Sequence, residues 1–414
     1  MPGPKRPKKA DVDAASAALD QVRHGWMRRP GVTAVDVGFK ISDGQLTDEV
    51  ALRVHVERKR PVSALAAEDV FNDGDGPNAE VDGFPVDVIE ADYAPSGTSG
   101  MLDLADPEAI ESVNRKSVVT PLLGGISCAN ERVTAGTLGS IVFDTDTGDP
   151  MILSNWHVLA GDTAAAVGES IIQPGRLDGG TAANRVATLT RMELDSRMDA
   201  AVATLDGSRA HTRDILGLDP ISGMSPATLG TTVTKSGRTT GVTTGVIDGV
   251  SMSVAINYRS AGRVNFTNQI RIVPLPPWPA QDIEISRGGD SGSVWMTEGR
   301  NAVGLHFAGE TNPAPTAENA ICSPIEPIAQ ELRFSFSPVI QPPQPPAPPE
   351  VDIWRRLICL LFPSLCSGSA PSDREAAVAG AIAQALTGPT AASPQAAPAR
   401  TDAEMLEAIR QLLR

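Results

Sequence analysis

Apolar and polar positions change their period several times along this chain, and the changes divide it into regions. Over residues 11–28, Val12, Ala15, Leu19, Val22 and Trp26 recur at helical spacing and Pro30-Gly31 ends the run, which predicts a docking helix. The period drops to two over 32–40, 50–58 and 84–90, each bounded by turn-forming residues, which predicts three strands. Helix and strands make a small α+β domain over 11–93, behind a basic tail at 1–10. Arg53, His55 and Glu57 alternate along the second strand, so His55 reads as a surface histidine on its polar face.

Residues 94–117 are a polar connection, with a helix expected over 106–115 because Pro107 suits a first helical position. From Val118 onward strands shorten and recur at intervals of roughly 8–12 residues, the spacing of a β-barrel. Residues 139–143 and 151–154 flank Asp144-Thr145-Asp146-Thr147-Gly148-Asp149. Its glycine precedes the third acid and Asn155 stands where a calcium loop carries glutamate, so it reads as a hairpin turn. A second group of strands begins near Ala227, expected over 228–236, 241–250 and 251–258. After Phe336 come Pro338, Pro342-Pro343, Pro345-Pro346 and Pro348-Pro349, a semi-rigid linker over 337–350. In the C-terminal region, 351–414, apolar residues recur at helical spacing over 351–365, 373–386 and 402–413; these read equally as self-association helices and as loosely attached, partly disordered ones.

Composition narrows the function. A chain of 414 residues has room for more than one domain, and aromatics at 4% with 38 glycines and 34 prolines suit many short strands and turns. A net charge of -15 argues against nucleic acid as a partner, because phosphate binding needs a basic face. The one basic run, Lys5-Arg6-Pro7-Lys8-Lys9, reads as a solvated tail. Cys128, Cys322, Cys359 and Cys366 form no CxxC pair and no disulfide framework, and the N-terminus shows no apolar leader. The apolar run at 357–362 is far below the ~20 residues of a membrane span. The expectation is a cytoplasmic protein with reduced thiols, no membrane partner, no cofactor and no metal.

The chemistry concentrates in Ser286-Arg287-Gly288-Gly289-Asp290-Ser291-Gly292-Ser293. A serine hydroxyl needs a base and an oxyanion site beside it to act as a nucleophile. Glycines at 288, 289 and 292 free the backbone so that the amides of Gly289 and Ser291 can converge on one spot as an oxyanion hole. Upstream stand a base, His157, closing the apolar run 152–156, and an acid, Asp199, opening the short strand-like run Ala200-Ala201-Val202-Ala203. Asp195 and Asp206 compete with Asp199, but Asp199 begins the alternating apolar run, where burial strengthens a bond to histidine. The order His, Asp, Ser excludes an α/β-hydrolase elbow, as does Ser293 in place of its final glycine.

Taken together, Ser154-Asn155-Trp156-His157-Val158, Asp199-Ala200-Ala201-Val202, Gly289-Asp290-Ser291-Gly292-Ser293 and Gly304-Leu305-His306-Phe307-Ala308-Gly309 resemble a trypsin-like, chymotrypsin-fold serine peptidase. Gly124-Gly125-Ile126-Ser127, Gly136-Thr137-Leu138-Gly139 and Lys235-Ser236-Gly237-Arg238-Thr239-Thr240-Gly241 narrow this to the bacterial putative peptidases related to the plant narrow-leaf proteins. The resemblance implies a mainly β fold with two six-stranded antiparallel barrels over 118–336. It implies a serine endopeptidase that hydrolyses peptide or protein substrates through an acyl-enzyme, with Ser291 as nucleophile, His157 as base and Asp199 as orienting acid.

The resemblance also implies that the strand about fifteen residues past the nucleophile walls the pocket for the side chain before the scissile bond. This places His306 there, with Ile285 at the pocket base. A histidine in that wall suits Glu or Gln; the competing reading is a core histidine and a small apolar preference. Arg238 reads as structural. Asp290 has no cleaved N-terminus to pair with, so Arg287 or a backbone amide is its expected partner. The alternative for the whole chain is an idle module of the same fold that binds peptides without cutting them.

Overall fold

The computed structural model describes residues 4–60, 71, 80–95, 113–276, 284–310 and 318–338. The expected N-terminal helix is α1 (Lys9–Trp26), followed by β1 (Val32–Ser42), β2 (Gln45–Val56), β3 (Glu80–Val81), β4 (Phe84–Glu90) and β5 (Tyr93–Pro95). Next come β6 (Leu122–Gly124), β7 (Ile126–Asn130), β8 (Gly136–Leu138), β9 (Ser140–Asp144), β10 (Pro150–Ser154), α2 (Trp156–Leu159), β11 (Ser170–Ile172), β12 (Arg185–Leu194), β13 (Asp199–Leu205) and β14 (His211–Ile215). The last group is β15 (Gly223–Met224), β16 (Thr232–Gly237), β17 (Gly241–Tyr258), β18 (Gly262–Pro274), β19 (Val294–Thr297), β20 (Asn301–Glu310), β21 (Ala320–Pro324), α3 (Ile325–Glu331) and β22 (Phe334–Ser335). Among the described residues no helix is long and apolar enough to cross a membrane.

The chain is mainly β. One sheet runs β22-β9-β10-β13-β12-β11-β7-β8, eight strands with no closing ladder among the described residues. In the other, β16-β19-β20-β21-β18-β17 form a ring that the β16–β17 ladder closes. The expected pair of six-stranded barrels is therefore met only in part.

The strands of 11–93 exist, but they are not a domain apart, because β1 adds to the outer edge of β17 and extends the second sheet through β2, β4 and β3. Residues 1–340 form one compact unit. A single core explains this: Leu19 and Trp26 of α1 pack with Phe39 and Leu52 and, from the ring, with Val233, Ile247 and Trp295. The helix expected over 106–115 lies largely outside the described residues, as do the linker beyond Pro338 and the whole C-terminal region.

Two expectations are corrected here. The strands expected over 241–250 and 251–258 are one strand, β17, because Ser251 adopts φ 53° as a bulge and not as a turn. Arg23 holds it there, with Nη1 donating to the Ser251 carbonyl and to Ser253 Oγ at 2.7 Å each. His55 is fully buried instead of exposed. Strand β2 is covered on both faces, and its polar side faces a buried charge cluster in which Arg53 bridges Asp36 (Nε–Oδ1, 2.7 Å) and Asp248 (Nη1–Oδ2, 2.7 Å) while Arg271 also reaches Asp248. His55 Nδ1 and Tyr93 OH share a 2.6 Å hydrogen bond beside it.

The hairpin turn at 144–149 matches expectation. Asp144 Oδ1 accepts the amides of Asp146 and Thr147 while its Oδ2 takes the Arg191 guanidinium, Nη2, so both oxygens of this carboxylate are engaged within the protein.

Candidate active site

Strand β10 pairs with β13 in a register that sets Ser154 opposite Ala201, so the residues after one strand meet the start of the other. Asn155 secures the junction by donating from Nδ2 to the Asp199 carbonyl at 2.7 Å. One residue later the chain enters α2, and His157 sits in its first turn over Asp199. The His157 amide donates to Asp199 Oδ1 (3.1 Å) and its ring Nδ1 to Oδ2 (2.5 Å). Of the competing acids, Asp195 binds Arg197 and local amides, and Asp206 faces Arg185. Sequence reasoning missed a third donor to Asp199: Tyr258 OH, from the far end of β17, reaches Oδ2 at 2.6 Å.

The loop of Ser291 is pinned from several sides. Gly289 and Gly292 have φ of 98° and 96°, which only glycine takes without strain. A Cβ on Gly292 would meet Ser154 Oγ and the Thr137 carbonyl, and one on Gly289 would meet Arg238 Nη1, so both also allow close packing. The Thr137 amide donates to the Ser291 carbonyl and Thr137 Oγ1 to the Gly289 carbonyl, at 2.8 Å each. Thus the nucleophile candidate lies against β8 and the end of β10, next to the strand that leads into His157. Ser291 is 0% exposed and His157 5%. Ser291 Oγ points to the Phe307 carbonyl at 3.5 Å, and His157 Nε2 has no partner. His157 and Asp199 are thus hydrogen-bonded, while Ser291 is not bonded to His157.

The charged partner of Asp290 is Lys235, at 3.2 Å and wholly buried, which no spacing in the sequence pairs with it. Asp290 also accepts from Thr240 Oγ1 (2.6 Å) and from the amides of Thr239, Thr240 and Arg287. Burial alone would raise its pKa, but Lys235 and these donors outweigh that and lower it to about 2. The Arg287 side chain turns instead to Glu284. Arg238 clamps Asp178 with two hydrogen bonds (2.6 and 2.5 Å) beneath the same loop.

His306 lies on β20 with its ring edge-on to Trp295, centroids 6.3 Å apart. Both ring nitrogens are buried and neither makes a hydrogen bond of good geometry, the Ile321 backbone being the acceptor near the ring. Burial, then the nearby Lys235 cation, lower its pKa to about 3, so the ring is neutral. Ile285 is fully buried too, its amide donating to Glu318 Oε1 at 2.9 Å. Carboxylate oxygens of Glu284, Glu310 and Glu318 lie within 4.8 Å of one another. Burial, then the neighbouring Glu310, raises the Glu318 pKa, and the two carboxylates accept the amides of Ile285 and Asn319. Cys128 and Cys322 are free and buried, and burial raises both thiols.

No protein-family model matches the chain, and no curated protein does. Among solved structures it is similar to Thermobifida fusca protease A, at 20% identity over 51% of this chain and 96% of that one, with a TM-score of 0.38. It is also similar to a glutamic-acid-specific serine protease described as using a histidine triad in substrate binding (22%, 51% and 98%, TM-score 0.39). A Cellulomonas bogoriensis chymotrypsin aligns at 19% over 52% and 98%, with a TM-score of 0.37. The structural neighbours of this chain are bacterial serine proteases of the chymotrypsin fold.

Proposed function

We propose that the chain is a serine endopeptidase. The observation that carries this is the two-point grip of Asp199 on His157, amide and Nδ1 together, beside a glycine-pinned loop that holds Ser291. In this reading Ser291 Oγ attacks the scissile carbonyl while His157 Nε2 takes its proton. The amides of Gly289 and Ser291 stabilise the oxyanion, and His157 returns the proton to the leaving amine. An acyl-enzyme forms on Ser291 and water releases it. Asp199 fixes the tautomer that leaves Nε2 free as base, and the unpartnered Nε2 fits that assignment. The closed serine rotamer is no obstacle, since catalytic hydrogen bonds often tighten only with substrate bound.

His306 and Ile285 belong to the same proposal as the pocket for the side chain before the cut. A neutral, buried histidine with at least one nitrogen left without a well-formed hydrogen bond makes an apolar guest costly and favours Glu or Gln, whose side chains can pair with it. Profiling a peptide library should enrich Glu or Gln there, and the enrichment should fall in His306→Ala. A profile of Ala, Val or Leu, unchanged in that variant, refutes the pocket assignment.

A second reading, an idle peptide-binding module, draws on one observation: Ser291 Oγ turned to Phe307 instead of His157. An organophosphonate probe separates the two. Covalent labelling of wild type but not of Ser291→Ala, with casein turnover lost in Ser291→Ala and His157→Ala, supports the peptidase. No labelling supports the idle module.

A further inference from the structure

Strand β20 has two edges, and they are used differently. On one, β21 sets Ile321 opposite Ala308 and Ala320 opposite Gly309. On the other, the Ser291 loop docks as far as His306, whose amide donates to the Ser293 carbonyl and whose carbonyl accepts the Gly292 amide. Beyond Phe307, whose carbonyl accepts Ser291 Oγ, β5 takes over the strand. Tyr93 faces Glu310, Ala94 faces Gly309 and Pro95 faces Ala308, antiparallel. An extended peptide recognised by strand addition uses just such an edge, with main-chain bonds for affinity and alternate side chains for selectivity.

From this register we infer that Tyr93-Ala94-Pro95 occupies the place of a substrate's residues N-terminal to the scissile bond, so the chain holds its own active site in a self-occupied state. The inference rests on the peptidase reading. Its direction follows from the pairing: as the segment runs from Tyr93 to Pro95, its partners step from Glu310 down to Ala308, toward Phe307 and the nucleophile. A peptide continuing in that register past Pro95 would bring its next residues to Ser291. The opposite chain direction would present a leaving-group side instead.

Two further observations agree. Ser291 is completely buried and its hydroxyl is turned to the strand that β5 covers, as expected of a site not open to solvent. The segment is also anchored from behind: Tyr93 packs with Phe307, Ala308 and Ile321, and its hydroxyl bonds to buried His55. Among the described residues the ladder spans three, so the anchor at Tyr93 contributes much of the hold on this stretch, and a substrate with a longer extended stretch can compete for the edge.

The full-length protein tests this with two probes: a tetrapeptidyl diphenylphosphonate, which must lie along β20, and a small alkyl fluorophosphonate, which need not. The peptidyl probe should label Ser291 and, once bound, raise amide exchange over residues 92–94. Tyr93→Ala should speed its labelling at least tenfold while changing the small probe much less. Tyr93→Phe, which keeps the ring and loses only the bond to His55, should act in the same direction and guards against misfolding of the alanine variant, with thermal melting as the control. If both probes label wild type but exchange at 92–94 stays unchanged with the peptidyl probe bound, self-occupancy is wrong and the peptidase reading stands. If neither probe labels Ser291 in any of the three proteins, the peptidase reading fails and this inference falls with it.

Discussion

Tyr258 donates a 2.6 Å hydrogen bond to Asp199 Oδ2, the same oxygen that His157 Nδ1 engages. The tyrosine comes from the tip of a strand that begins in the other sheet, so the carboxylate is held from both halves of the structure at once. Burial, then the Asp199 charge, raise the Tyr258 pKa well above its usual value, which keeps the hydroxyl protonated as a donor. Tyr258→Phe should leave the fold intact and loosen the carboxylate. A lost bond to a buried charge costs about 1–3 kcal/mol, so kcat/KM should fall roughly 5- to 150-fold, mainly in kcat. In an Asp199→Asn background the same change should have little further effect, because the tyrosine acts through the acid. Equal losses in both backgrounds would show a general packing role instead.

Lys235 and Asp290 lock the loop that carries Ser291, and both are fully buried. Asp290→Asn leaves the ammonium without its counter-charge, and breaking a buried pair from one side typically costs about 3–5 kcal/mol. Urea unfolding should report that loss, and phosphonate labelling of Ser291 should slow even where the protein remains folded. The pH dependence has a definite sign. With the folded pKa held at about 2, below its ordinary value, the stability carried by ionised Asp290 is full above ~pH 4 and declines as pH falls toward 2. That decline should be smaller in Asp290→Asn.

Local patterns revealed what local physics decides. The helical period of α1, the alternation in β1, β2 and β4, and the turn at 144–149 were all legible. So were His157 and Asp199 as neighbours, since an acid opening an apolar strand must find a partner once buried. What stayed hidden depends on pairing between distant segments. His55 alternates with charged residues, and only the addition of β1 to β17 turns that polar face into an interior. Tyr258 lies 59 residues from Asp199, and Lys235 lies 55 from Asp290, so no spacing rule links them. Lys235 had one usable signal: it opens the string Lys235-Ser236-Gly237-Arg238-Thr239-Thr240-Gly241, in which Thr239 and Thr240 also bind Asp290. The one-piece β17 was missed because Ser251 takes a left-handed φ that its side chain does not advertise.

Arg53 ties the N-terminal strands to the ring through Asp36 and Asp248, all three without exposure. Arg53→Met should destabilise the whole unit by roughly 3–5 kcal/mol, because two carboxylates lose their common partner inside the protein. Unfolding should remain a single transition, as the core is shared between α1, β1 and β2 and the ring. For the same reason residues 11–93 should stay attached in active protein. Mass spectrometry of purified, probe-reactive material should find them, and a dominant reactive species starting near residue 118 would refute this.

His306 makes the stability of the protein depend on pH between its folded and unfolded pKa values. Its folded pKa of about 3 lies far below its ordinary value near 6.5, so between these limits the unfolded chain binds a proton that the folded chain refuses. Stability from this residue is therefore full above ~pH 6.5, falls as pH drops toward 3 and is level below that, with a slope on the order of 1.4 kcal/mol per pH unit inside the window. His306→Met removes the titrating group while filling similar space beside Trp295, so the difference between the two proteins isolates it from the carboxylates that titrate nearby. Urea midpoints measured from pH 7 to pH 4 should fall more steeply in wild type than in His306→Met. Parallel curves would mean that the histidine protonates in the folded protein, and the neutral ring invoked for the Glu or Gln pocket would have to be abandoned.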